Sequence, residues 1–538
     1  MSRIPMLSVS IVSFLFCLGM PMPKEPAQQG SAAAPQLGLV NFPTSCAADA
    51  QPSIETGVAL LHSFQYQQAD QSFSEAAKRD PKCAMAYWGK AMTHYEELWE
   101  FPSEKFLKQG AQEIQHAQVA GASTERERGY IAAGAAFYLG DEKLTETQRV
   151  QALSASLAGL HKQFPDDVNA AAFYALSLLA LAEQQEVDAQ ANRKEAIAIL
   201  EPLCHKAPDN PGPAHYLIHA ADTSEFAAQG LDAARAYSKI APDSSHALHM
   251  PSHIFVRLGF WQESIASNVA AAASAAKATQ EHRGEPHYQF HALDFLNYSY
   301  LQSGQESKAR EMVKELENVP GASRKSIAEH QAGLAARNAF ELHRWKEAAE
   351  LPLPHVPPDS QESTYRVRGI GAARSGKPTA ARQDLQKYVE VSTEENGKSS
   401  HHAVKPSDKS VGQLEAEAWI VFAEGKSDEA VKMLRSAADR EDAEGVDSLA
   451  VPAREMLADL LLELKRPAEA LTEYKAALKN SRNRFDALYG AGHAAQMAGD
   501  SASANAYFTK LMEISAPTAD RAELAEAKSY LARASKGK

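Results

Sequence analysis

An all-α solenoid of stacked helical hairpins is predicted by three observations. The chain has 538 residues, more than one hydrophobic core usually serves, so it divides into domains or extends by repetition. Its composition leans on Ala, Leu, Glu, Gln and Lys, with an ordinary 29 Gly and 27 Pro, and that mixture favours helix over sheet. The third observation is a recurring spacing: a small residue, Ala 12 residues later, then an aromatic residue or Leu four further on.

At the N-terminus, Ile4 to Met20 form an apolar run after a single Arg3, closed by Pro21 and Pro23. It is short and poorly flanked for a spanning helix and reads as an export signal, with residues 1–34 as leader and flexible segment; small residues at 30–34 lie far from the run, so an uncleaved anchor stays open. No further membrane attachment is expected. Export permits a disulfide. Cys46 stands just before the first predicted hairpin and Cys83 just after it, so a bridge between them would clamp the terminal repeat. The alternative is three buried thiols, and in either case Cys204 is the odd one.

The repeat begins with Gly57, Ala69, Phe73, Ala76 and Pro81, spaced by 12, 4, 3 and 5. Ala458, Ala470, Tyr474 and Ala477 repeat it, and Gly492, Ala504 and Phe508 follow 34 residues later. Turn glycines at 304, 376, 425 and 499 each precede the corresponding Ala by five. The arrangement resembles the tetratricopeptide repeat (TPR), whose small, Ala, aromatic, Ala and Pro positions are 8, 20, 24, 27 and 32 of 34. The resemblance implies a TPR-like α-solenoid, a right-handed superhelix of hairpins with a concave groove. It divides the chain into an N-terminal solenoid at 50–350, a degenerate repeat and loop at 351–411, and C-terminal repeats at 412–533. Nine or ten hairpins are expected, with about nine surplus residues between Pro165 and Ala196 and a loop at 392–410.

In TPR proteins positions 2, 5, 9, 12 and 13 of each leading helix line the groove, because they share one helical face. That register places His215, His219 and Asp222 in the groove from one unit, and His246, His249, His253 and Arg257 from the next. The two following units contribute His291, Asp294 and Tyr298, then His330 and Arg337. Pro251 falls inside the leading helix of its unit, in His-Met-Pro-Ser-His, so that helix either kinks or starts there. His62 and His94 fall off the groove positions, and His401 and His402 fall in the loop.

His215/His219 and His249/His253 are i,i+4 pairs, the spacing that lets two imidazoles chelate one ion, and Asp294 could complete such a set. Zinc or copper suits imidazole best. The same band also fits a metal-free polar pocket for a peptide or small polar ligand, or a structural network of buried His bonded to carbonyls and Asp. The formal charge of −13 and the lack of a Lys/Arg stripe exclude nucleic acid as a partner. No phosphate loop, His-Glu-x-x-His, Gly-x-Ser-x-Gly or Cys-x-x-Cys motif marks an enzyme.

The segments from Asn41 to Cys46, Leu61 to Phe64 and Asp80 to Gly89, with Ala214 to Ala220 and His249 to Ile254, are similar to a group of uncharacterised exported bacterial TPR proteins. That resemblance implies fold and location and assigns no activity. The leading expectation is an extracytoplasmic, periplasmic or secreted, binding or scaffold protein that captures a peptide, protein segment or small polar ligand. The alternatives are a metal-binding protein or metal-dependent enzyme, and a purely structural assembly module.

Overall fold

The computed structural model describes residues 36–538 apart from 100, 142, 185–187, 283, 355–360, 397–408 and 537–538. The apolar leader and the loop carrying His401 and His402 lie outside the described residues. Consecutive helices pack as hairpins, from Gln51–His62 with Tyr66–Arg79 through to Phe485–Met497 with Ser501–Ile514, and Glu523–Lys536 closes the stack. Twelve such pairs lie among the described residues, more than the repeat spacing reveals. Two of the additional pairs, Ala84–Met92 with Glu104–Ala120 and Glu125–Tyr138 with Glu146–Gln163, are joined by longer connections that hide the 12-residue step. The surplus between Pro165 and Ala196 goes chiefly into helix length: Val168–Ala182 has 15 residues and Ala189–Lys206 has 18.

The repeat positions have a direct steric meaning. A Cβ on Gly57 would lie 2.7 Å from the Phe73 ring, and Gly89 of the next hairpin faces the same ring. Phe508 meets Gly492 in the same way, at 2.7 Å. The small residues therefore make the space that the aromatic ring of the second helix fills, which draws each hairpin onto its neighbour. No described helix is long and apolar enough to cross a membrane.

Cys46 and Cys83 are joined by a disulfide, with their Cα atoms 4.7 Å apart. The bridged segment is also tied down by hydrogen bonds: Ser45 donates its backbone N–H and hydroxyl to Glu127, and Ala47 N–H donates to Asp80 Oδ2 at 2.8 Å. Cys204 is unpaired and half-buried, and burial pushes its thiol up to about 12. With the bridged positions 37 apart in sequence, the Cys46→Ser/Cys83→Ser variant is expected to lose about 4 kcal/mol of stability by chain entropy. Urea denaturation followed at the first hairpin checks this; an unchanged midpoint would mean that the hydrogen bonds alone hold the segment.

Two long-range closures wind the stack tightly. At the N-terminal end Leu39 N–H donates to the Asp209 carbonyl at 2.8 Å, Gln65 Nε2 to Ser244 Oγ at 2.8 Å, and the Tyr288 hydroxyl to the Phe64 carbonyl at 2.9 Å. The first hairpin therefore lies across later ones. At the C-terminal end Trp261 Nε1 donates to the Asn483 carbonyl at 3.0 Å, Phe485 N–H to Gln302 Oε1 at 2.9 Å, and Ala516 N–H to the Ser303 carbonyl at 2.9 Å. Between these closures the expected groove is partly roofed.

Candidate metal centre

Three successive leading helices carry the histidines. His215 and His219 lie one turn apart on Pro211–Ala221, a helix started by Pro211 and capped by Asn210, whose side chain accepts from Gly212 N–H at 3.0 Å. The next leading segment is split into Ser245–His249 and Pro251–Leu258. Pro251 takes the first position of the second piece, where its missing N–H removes no bond, and Met250 keeps helical dihedrals between them. His246 and His249 therefore lie on the first piece, and His253 sits one turn beyond His249. His291 comes from Pro286–Gln302.

The rings converge as two triads. His215 Nε2 lies 3.0 Å from His246 Nε2 and 3.1 Å from His219 Nε2, while His249 Nε2 and His253 Nε2 are 3.1 Å apart with His291 beside them. Within each triad one nitrogen from every ring falls within 4.8 Å of the others. The triads adjoin: His219 and His253 have ring centroids 6.3 Å apart, and His246 and His249 6.4 Å.

The far nitrogens settle which protons are present. His215 Nδ1 is 2.6 Å from the His62 carbonyl, and His253 Nδ1 is 2.8 Å from Asp222 Oδ2. His249 Nδ1 is 2.7 Å from Asn268 Oδ1, whose own amide N–H donates to the Ser264 carbonyl at 2.9 Å. Carbonyl and carboxylate oxygens only accept, so each of these Nδ1 atoms carries a proton and the Nε2 atoms turn inward, those of His249 and His253 facing each other. Burial holds His215, His219, His246 and His249 well below the ordinary imidazole range, with neighbouring histidines adding to the effect. It lowers His291 to about 4. Neutral rings with converging nitrogens are the form in which histidine ligates a metal.

The remaining groove residues flank this core. Burial would raise Asp222, but Arg257 and His253 outweigh it and hold the carboxyl well below its usual range. Arg257 Nε donates to Asp222 Oδ1 at 2.9 Å and Nη1 to the Val446 carbonyl at 2.6 Å. Asp294, expected among the ligands, instead takes Arg337 with both oxygens, at 2.7 and 3.2 Å. It sits in the next unit opposite a guanidinium whose forked geometry matches a carboxylate better than a shared ion does. The metal set read from sequence, His215, His219, His249, His253 and Asp294, is therefore regrouped, with His246 and His291 as the third members of the triads. His330 stacks on Phe290 at 4.0 Å. Tyr298 is buried away from the histidines, its hydroxyl accepting from Arg484 Nη1 at 2.8 Å.

Sequence reasoning missed the roof. Phe64, at a left-handed φ of 52°, lays its ring 4.4 Å from His215, 5.4 Å from His219 and 5.7 Å from His246. His62, off the groove positions, is fully buried; its ring is fixed by Asn169 Oδ1 at 2.9 Å and the Tyr216 hydroxyl at 3.0 Å, and its carbonyl orients His215. Asn268, a buried amide in an Ala-rich helix, is the one signal that could have marked a partner for His249. Beside the first triad, Trp99, Asp243, His287 and Tyr288 line a small open cleft of about 90 Å³, and Trp99 and Tyr288 approach His246 at 5.6 and 6.3 Å.

A family model described as tetratricopeptide repeat matches residues 415–484 and 455–520. Residues 415–520 are tetratricopeptide repeats. No curated protein matches this chain. Among solved structures, a tetratricopeptide repeat protein from Parabacteroides merdae ATCC 43184 is 17% identical, covering 54% of this chain and 97% of its own, with a TM-score of 0.31. The P58(IPK) TPR domain is 14% identical, covering 84% of this chain and 99% of its own, with a TM-score of 0.23. Likeness at that level says nothing about the histidines, so the TPR protein's site rests on its own geometry.

That geometry gives a test of the carboxylate behind His253. Asp222→Asn keeps the shape but weakens the acceptor for His253 Nδ1–H, and metal affinity is expected to fall about 10–100-fold. Arg257→Gln, which leaves the carboxylate in place, should change affinity far less. Equal losses in competition titrations would assign the effect to local packing instead.

Proposed function

We propose that this TPR protein is exported and binds a transition metal, zinc or copper, at its histidine triads. Tetratricopeptide repeats suggest a protein-binding or scaffold role, and the metal reading refines that for this chain. The observation that carries it is the convergence of two triads of histidines, each with one nitrogen per ring within 4.8 Å of the others and with His249 Nε2 and His253 Nε2 3.1 Å apart. An ion at the centre of such a triad is within reach of all three imidazoles. The Nδ1 partners hold the rings in position, and Phe64 limits water on one side.

Two features support export: the apolar run at 4–20, and the Cys46–Cys83 bridge, since disulfides persist mainly in oxidising compartments. A second reading, capture of a peptide or small polar ligand, is favoured by the aromatic cleft at Trp99 and Tyr288. The two are compatible, because a ligand in that cleft would approach the first triad.

Elemental analysis of the protein purified without a histidine tag, beside a His249→Ala/His253→Ala variant, tests the metal reading. Near-stoichiometric zinc or copper that falls in the variant is the expected result. Metal absent from both, even after incubation with those ions, overturns the reading and leaves the cleft as the site to probe.

A further inference from the structure

We infer that the two triads form one dinuclear centre selective for copper(I), an inference that rests on the metal reading above and specifies its nuclearity and ion. The triads are built alike: an i,i+4 pair from one leading helix and a single His from the next. His246 of the first and His249 of the second lie on the same five-residue helix, Ser245–His249, so neither triad moves without the other. Across the boundary the rings are 6.3 and 6.4 Å apart, centre to centre. Metal–imidazole bonds are about 2.0–2.1 Å, so ions held by facing triads lie within the span of one small bridging ligand. Three nitrogen donors also leave each ion a further position for that ligand.

Charge selects the ion. All six donors are imidazoles, which ligate in their neutral form, and among the described residues no thiolate or unpaired carboxylate joins them. The nearest acids, Asp222 and Asp294, are already matched by Arg257 and Arg337, and Arg193 Nη1 sits on the His219 carbonyl at 2.9 Å. Two divalent ions would bring four positive charges into a largely buried site without compensation. Two copper(I) ions bring half that charge, and desolvation cost rises steeply with charge. Copper(I) accepts imidazole and tolerates three-coordination, whereas zinc on three imidazoles needs a further ligand to complete its tetrahedron. The bridging ligand is a diatomic or hydroxide-sized molecule, with dioxygen and carbon monoxide as the matching probes.

Anaerobic titration of the full chain with copper(I) against a chromophoric chelator gives the stoichiometry. Oxidation of the loaded protein with ferricyanide, followed by quantitative EPR, then reports whether the copper ions interact. Two copper(I) per chain, bound in preference to zinc, with far less than two spins after oxidation, is the expected result. His291→Ala and His219→Ala change residues that are exposed or half-buried, so the fold should tolerate both; each leaves one intact triad and should bind one copper with a full one-spin signal. One copper per chain in the unaltered protein, two non-interacting spins, or preferential zinc binding would each overturn the dinuclear copper reading while leaving metal binding intact. No metal at all would instead overturn the reading beneath it.

Discussion

Arg484→Ala is expected to weaken the C-terminal closure by about 3–5 kcal/mol, because it leaves buried carboxylates without their counter-charge. Arg484 is 1% exposed. Its guanidinium meets Glu455 at 2.8 and 2.9 Å and Glu341 at 2.9 and 3.1 Å, and also donates to the Tyr298 hydroxyl. Burial already raises Glu455 to about 7 against the pull of Arg484. A carboxyl whose folded pKa lies above its unfolded value costs stability as pH rises from the unfolded pKa through the folded one. Without the arginine that cost grows, so the variant should be closest to the unaltered protein near pH 5 and furthest from it at pH 8. Arg484→Met combined with Glu341→Gln and Glu455→Gln should recover much of the loss. Hydrogen exchange at 298–305 and 485–521 provides the local readout; a loss independent of pH would rule out the carboxylates as its cause.

Under the proposed metal binding, removing the ion is expected to loosen the histidine-bearing helices by about 4 kcal/mol when free ion stands a thousandfold above its dissociation constant. The effect should appear as faster hydrogen exchange in Pro211–Ala221, Ser245–His249 and Pro251–Leu258, and it should be absent from the repeats beyond residue 411. In the His249→Ala/His253→Ala variant the chelator-dependent difference should shrink, since two of the six donors are gone. Uniform protection along the chain would point to non-specific ion binding.

The hairpin architecture is legible in the sequence because its packing is local. Phe73 needs Gly57 opposite it, Phe508 needs Gly492, and both requirements write themselves into fixed spacings. The i,i+4 histidine pairs are legible for the same reason, since one helical turn sets their separation. His246 and His291 are on the predicted groove face, but their partnership depends on how successive leading helices settle against one another. Phe64 and Arg484 could not be read. Each reaches its partners through winding accumulated over many repeats, roughly 150 residues for Phe64 and His215 and 143 for Arg484 and Glu341. Asp294 shows a subtler limit: register places it correctly near the histidines, but Arg337 on the next helix takes up its carboxylate.

The left-handed turn at Phe64 also bears on the length of chain that each contact must close. The histidines of each triad are separated by at most 42 residues, as between His249 and His291, whereas the ring that covers the first triad comes from the far end of the N-terminal coil. The imidazoles of a triad therefore need only short loops to meet, whereas the Phe64 cover depends on the first hairpin being set against helices far along the chain.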